Sequence, residues 1–109
     1  MKTKSISLGP VSDLQPGACR SIETEAGWIA VYNLDGRLYA TDDVCPHAGG
    51  SLGEGKLSGD CIVCPWHGWR FNVRTGQRPE NPDIRVDCFE VKVEDGYIVV
   101  DVPEDRKAF

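Results

Sequence analysis

The sequence predicts an all-β domain of short antiparallel strands, a sandwich or small barrel, and three observations carry that reading. Apolar and polar residues alternate with a period of two, as in Val91-Lys92-Val93-Glu94 and again through Ile98, Val100 and Val102. Asp35-Gly36 and Asp95-Gly96 each separate two strand-like runs, and Asp-Gly tolerates the positive φ angles that two-residue hairpin loops require. No window of a dozen residues carries a helical apolar period, and the 12 glycines and 7 prolines would break any long helix.

In chain order, the first strands are expected at 5–8 and 18–23. Residues 27–34 (GWIAVYNL) and 37–40 (RLYA) form a hairpin, rich in the β-branched and aromatic residues that suit a pleated surface. Short strands at 61–64 and 70–73 follow, with turns at 58–60 and 74–76, and the hairpin around Asp95-Gly96 comes last. Residues 104–109 read as a frayed tail. The length supports one domain, 1–109, with one modest core, and no linker, low-complexity segment or internal repeat is evident.

Charge narrows the function classes. Asp and Glu number 17 against 12 Lys and Arg, a net charge of −5, and the basic residues are scattered. Nucleic acid is thereby disfavoured, since neutralising phosphates needs clustered cations. An acidic surface instead suits steering toward a basic partner. The first eight residues lack the apolar run of a signal peptide, and nothing approaches the roughly 20 apolar residues of a membrane span. Five unevenly spaced cysteines without an export signal point to metal or cluster ligation in a reducing cytoplasm, not to a disulfide framework.

Two segments break the strand rhythm, at about 42–55 and 64–71, and each combines Pro, Gly, Cys and His. Both histidines of the chain lie in them. The first reads Cys45-Pro46-His47 and the second Cys64-Pro65-Trp66-His67, with 16 residues between His47 and Cys64. Each loop offers one thiolate and one imidazole on a short arm stiffened by proline. Gly49, Gly50, Gly53 and Gly68 let the backbone approach closely, so that its N–H groups can face anionic sulfur.

Two chemistries fit two Cys and two His. One zinc ion could take all four. Alternatively, a two-iron, two-sulfur cluster takes the cysteines on one iron and the histidines on the other. Spacing favours the cluster, because zinc modules usually pair ligands of one type in each arm, and here each arm mixes the two.

Cys45-Pro46-His47-Ala48-Gly49-Gly50-Ser51-Leu52 and Cys64-Pro65-Trp66-His67-Gly68-Trp69-Arg70-Phe71 resemble the two-box signature of the Rieske family. They are especially similar to the small ferredoxins of bacterial ring-hydroxylating dioxygenase systems, and the resemblance covers nearly the whole chain. It implies a Rieske-like β-sandwich or barrel with a two-loop cluster-binding subdomain. It also implies one 2Fe–2S cluster on Cys45, His47, Cys64 and His67. The function implied is a soluble, monomeric electron carrier between a flavin-containing reductase and a terminal oxygenase. The chain would be a component of an enzyme system and not its catalyst, since no ligands remain for a mononuclear iron site. The alternative is the small subunit of an assimilatory nitrite reductase, which shares the fold.

The sequence also departs from part of that family. High-potential members carry an extra, disulfide-forming cysteine in each box, where this chain has Gly50 and Trp66. They also carry hydroxyl donors to the cluster where Trp69 and Phe71 stand here. Without those donors the reduced cluster is less stabilised, and a potential of roughly −150 mV, the low end of the Rieske range, is expected.

The remaining candidates read more plainly. Cys61-Ile62-Val63-Cys64 looks like a redox dithiol, but residues an odd number apart in a strand point to opposite faces. Cys61, Cys19 and Cys88 are therefore read as strand packing. Trp66 and Trp69 flank His67, where they could shield a cluster, form an apolar docking patch or simply pack one loop on another. Asp35, Asp42, Asp43, Glu54 and Asp60 could attract a basic partner, but most of them read as turn formers or solvated surface.

Overall fold

A computed structural model describes residues 2–46, 49–66 and 68–106. Eleven strands account for most of them: β1 (Thr3–Pro10), β2 (Cys19–Thr24), β3 (Gly27–Leu34), β4 (Arg37–Asp42), β5 (Lys56–Ser58), β6 (Cys61–Val63), β7 (Arg70–Asn72), β8 (Gln77–Arg78), β9 (Asn81–Arg85), β10 (Cys88–Glu94) and β11 (Tyr97–Pro103). Among the described residues there is no α-helix, and hence none long and apolar enough to cross a membrane. The predicted all-β class is borne out.

Six strands form one antiparallel sheet in the order β1-β11-β10-β4-β3-β2. Its curl is built at β10, which changes partner midway. Cys88 and Phe89 pair with Thr41 and Ala40 of β4, whereas Glu90 to Glu94 pair with β11. The two Asp-Gly hairpins turn as the sequence requires. Asp35 and Gly36 adopt φ of 54° and 94°, and Asp95 and Gly96 adopt 52° and 80°, the double positive φ that matches strand twist. A separate three-stranded sheet, β5-β6-β7, carries the second cysteine, and β8-β9 forms a two-stranded ribbon beside it.

Two hydrophobic clusters share β3. Ile29 and Val31 point into the first, with Ile6, Leu8, Val100 and Val102. Ala30 and Tyr32 point the other way, into the second, with Leu52, Ile62, Phe71 and the two loop cysteines. This double burial explains why GWIAVYNL reads as an almost unbroken apolar run while the β10–β11 hairpin alternates. A polar pair seals the second face, where the Tyr32 and Thr41 hydroxyls hydrogen-bond at 2.9 Å with both residues buried.

Three strands escaped the sequence reading: β5, β8 and β9. β5 and β8 are too short for any period, and β9 (NPDIR) carries Pro82 and two charges that argue against a strand unless it lies at an edge. The expected frayed tail is corrected over 104–106. The Glu104 amide donates to the Lys2 carbonyl at 3.0 Å, and Arg106 is bound on three sides. Its Nε donates to the Ala26 carbonyl at 3.0 Å, its guanidinium lies 3.1 Å from Asp42 and 3.7 Å from Asp87, and it sits over the Phe89 ring at 4.8 Å. The rest of the predicted tail, 107–109, lies outside the described residues.

Arg106 therefore fastens the end of β11 to the strand that feeds the first cysteine loop. Arg106→Ala should destabilise the fold by about 2 kcal/mol, the scale of a charge-assisted bond plus a half-buried ion pair. Urea denaturation with an unchanged slope would show it, and a midpoint equal to the parent's would contradict it.

Candidate metal centre

The first cysteine loop leaves β4 at Asp42 and ends where β5 begins at Lys56. Its neck is a single bridge between Val44 and Ser51. Inside the neck the Cys45 amide donates to the Gly50 carbonyl at 2.8 Å, and the Gly49 amide donates back to the Cys45 carbonyl at 2.8 Å. The second loop repeats this pattern. The Cys64 amide donates to the Trp69 carbonyl at 2.7 Å and the Gly68 amide to the Cys64 carbonyl at 3.2 Å. In both, the glycine four residues after the cysteine takes a left-handed φ, 72° at Gly49 and 73° at Gly68. The two arms are thus one local design, Cys-Pro-x-x-Gly, used twice. At five residues, the repeat is too short to stand out in the sequence.

The fold brings Cys45 and Cys64 together. Both are 1% exposed and pack in the same buried cluster, with the Cys45 thiol close enough to act on that of Cys64. Burial pushes the Cys64 thiol up, the Trp66 backbone hydrogen bond pulls it down, and the neighbouring Cys45 thiol adds to the rise. Gly50 keeps the gap open: a Cβ there would lie 3.3 Å from Cys64 Sγ and 3.0 Å from the Trp66 ring. Two buried thiols facing one small space match the donor set of one iron of a 2Fe–2S cluster, so the residues present fit such a group. His47 and His67 lie outside the described residues. Among those described, no group of three or more Cys, His, Asp and Glu gathers as a metal site.

The same contact accounts for one departure noted in the sequence. Gly50 and Trp66 stand where a disulfide would join the boxes of high-potential relatives. Here the Trp66 ring lies against Gly50, so the loops are clasped by packing. Trp66 is nevertheless 55% exposed, whereas Trp69 turns inward on the second cluster. The Arg78 guanidinium stacks over the Trp69 ring at 3.6 Å, and Arg78 Nε is buried without a hydrogen-bond partner.

Of the other cysteines, Cys61 is buried on β6 as packing. Cys88 lies on β10 at an exposed position, contrary to the packing expected of it. Cys19 does more than pack, since its Sγ donates to the Gly55 carbonyl at 3.3 Å and ties β2 to the end of the first loop. Asp43 is the clearest correction. Expected as turn or surface, it is 4% exposed and accepts hydrogen bonds from Ser21, Ser51 and the Gly53 amide. An acidic residue two before a candidate ligand, with serines nearby, was the available signal, and it is too common to have been decisive.

A small antiparallel β scaffold that converges two Cys-Pro-x-x-Gly arms on one buried spot defines a class of metal-cluster protein. A family profile for the Rieske [2Fe-2S] domain matches residues 4–93. The chain is 44% identical over 91 residues to Ferredoxin CarAc of Metapseudomonas resinovorans, covering 82% of this chain and 85% of that one. A solved complex of reduced oxygenase and oxidized ferredoxin in carbazole 1,9a-dioxygenase matches with a TM-score of 0.80 and 41% identity, over 88% of this chain and 91% of that one. A structure described as an NADH-dependent nitrite reductase small subunit from Mycobacterium tuberculosis matches at a TM-score of 0.86 but 19% identity, over 94% and 98% of the two chains, a likeness of fold alone. The chain belongs to the Rieske [2Fe-2S] domain family, and its cofactor is accordingly a Rieske-type 2Fe–2S cluster.

The close seat of the first loop on the sheet can be tested sterically. A Cβ on Gly53 would meet the Ser21 side chain and lie 2.5 Å from backbone atoms of Arg20 and Ser21. Gly53→Ala should therefore lift the loop from β2 and cost roughly 1–3 kcal/mol, the range for overpacking a close contact. Thermal unfolding would record it, and an unshifted midpoint would show that the loop is not seated there.

Proposed function

We propose that this chain is a soluble, monomeric, cytoplasmic ferredoxin that takes single electrons from a flavin-containing reductase and delivers them to a terminal oxygenase. The family, together with 44% identity to a named ferredoxin, carries the reading. In this reading the whole span 1–109 works as one Rieske domain. Cys45 and Cys64 hold one iron as thiolates, and His47 and His67 hold the other and face the partner. When bound, the cluster supplies a reversible one-electron couple.

The protein's own residues supply the rest. The buried cysteines and the packed face of Phe71 and Leu52 keep water from the sulfur side. Around the loops Trp28, Val44 and Trp66 are large apolar side chains left 47%, 48% and 55% exposed, a small surface suited to brief contact with successive partners. The net charge of −5 supports steering toward a basic partner face. A nitrite reductase subunit shares the fold, but no specific observation favours that role.

Absorption and electron paramagnetic resonance spectra before and after dithionite test the cluster and its ligands together. Cys45→Ser and Cys64→Ser should abolish the anisotropic signal of the reduced mixed Cys/His centre, while Cys19→Ser, Cys61→Ser and Cys88→Ser should keep it. Loss on replacing Cys61, or survival without Cys64, would overturn the assignment.

The potential should lie near the low end of the Rieske range, about −150 mV. Trp69 and Phe71 carry no hydroxyl, and that of Tyr32 is bonded to Thr41. Spectroelectrochemical titration reads this directly, and a positive midpoint would contradict it.

A further inference from the structure

Asp43 lies two residues before Cys45, and the intervening Val44 makes the bridge at the loop neck. In extended backbone, residues two apart share a side. Asp43 and Cys45 are both buried while Val44 between them is exposed, so both side chains turn inward from the loop neck. Every polar group of Asp43 is engaged. Oδ1 accepts from Ser21 Oγ at 2.8 Å and from the Gly53 amide at 2.7 Å, and Oδ2 accepts from Ser51 Oγ at 2.7 Å. Its carbonyl accepts from the Leu52 amide at 2.7 Å, and its amide donates to the Trp28 carbonyl at 3.3 Å. The two serine hydroxyls also meet one another at 2.5 Å.

These bonds join three pieces of chain at one point: β2 through Ser21, the outgoing strand of the loop through Asp43, and the returning strand through Ser51 and Gly53. The arm carrying Cys45 is thus stapled to the main sheet by one buried side chain. That side chain is a carboxylate two residues from Cys45, the proposed ligand of a cluster that becomes more negative on reduction. In a low-dielectric interior a fixed negative charge opposes uptake of an electron, and each donor to the carboxylate offsets part of that effect.

We propose that Asp43 is a positioning residue for the cluster, which holds the Cys45 arm on β2 and, through its buried negative charge, keeps the reduction potential low. The inference rests on Cys45 as a ligand. It assigns to Ser21 and Ser51 the part of partly neutralising that charge.

The test compares two variants whose effects have opposite sign. Asp43→Asn keeps an oxygen for the Gly53 amide and the Ser21 hydroxyl, and the Ser51 hydroxyl can reverse to accept from the new amide N–H, so the staple persists without its charge. It should retain the cluster signal and favour reduction by about tenfold, 59 mV for a one-electron couple. Ser51→Ala removes one donor and leaves the charge, and should disfavour reduction by a few-fold. Asp43→Ala removes the staple, and its cluster should be lost to a chelator at least tenfold faster than the parent's. A purely structural role would move chelator lability without opposite shifts in potential. Parental potentials in both loaded variants, or shifts of the same sign, overturn the inference, as does a parental rate of cluster loss in Asp43→Ala. The parent spectrum is recorded first. A parent lacking the mixed Cys/His signal overturns the ligand assignment and this inference with it. A parent with the signal and unshifted variants overturns this inference alone.

Discussion

The structure depends on one constraint: two thiols 19 residues apart in sequence must occupy one buried spot on opposite arms. Neither arm can do this alone, because a loop of five residues has little contact area with which to fix its own shape. Each is therefore closed on itself by the same pair of backbone bonds around a left-handed glycine, and each is then fastened to a different sheet. The first hangs from the β4 end of the six-stranded sheet, the second from the three-stranded sheet through β6 and β7. Whatever fixes those two sheets against each other fixes the distance between the thiols. That task falls to the second hydrophobic cluster, in which Tyr32 and Ala30 of β3 meet Ile62 and Phe71 of the smaller sheet.

The polar contacts follow the same division. Asp43, Ser21 and Ser51 hold the first arm on β2, the Cys19 thiol reaches the Gly55 carbonyl, and Arg106 braces the approach through Asp42. On the second arm the stacking of Arg78 over Trp69 does comparable work without a hydrogen bond to Arg78 Nε. The first arm thus carries an internal anion and the second an aromatic-bound cation. Charge is distributed asymmetrically about the two thiols, on a protein whose surface is acidic overall.

How much of this could be read beforehand follows from the range of each interaction. The hairpins at Asp35-Gly36 and Asp95-Gly96 were legible because the required φ values are local and few residues supply them. The convergence of Cys45 and Cys64 was legible because each stands in a short Cys-Pro-x-x-Gly arm whose closure is local. β9 was not, since its pairing with the two-residue β8 comes from tertiary placement and its composition opposes it. Arg106 was not, because its partners Ala26, Asp42 and Asp87 are remote in sequence. Asp43 failed for the same reason in sharper form. A carboxylate in a Gly-rich loop is ordinarily solvated, and only the return of Ser51 and the approach of Ser21 make it a buried acceptor.

The placement of Cys45 and Cys64 within the second cluster has a further consequence for the fold itself. The first cluster is wholly apolar, formed by strands β1, β3, β10 and β11 with their neighbours, and needs no cofactor to close. The second counts the two thiols among its nine buried members, so part of its interior would be the proposed cluster site. Ligands that bind only the folded chain add their binding free energy to its stability. Here that energy acts on one face of β3 and not the other. The six-stranded sheet is therefore the frame and the two-arm subdomain the part completed by its cofactor. An electron carrier of this design keeps its shape in the larger sheet and places its chemistry where the chain alone is least self-sufficient.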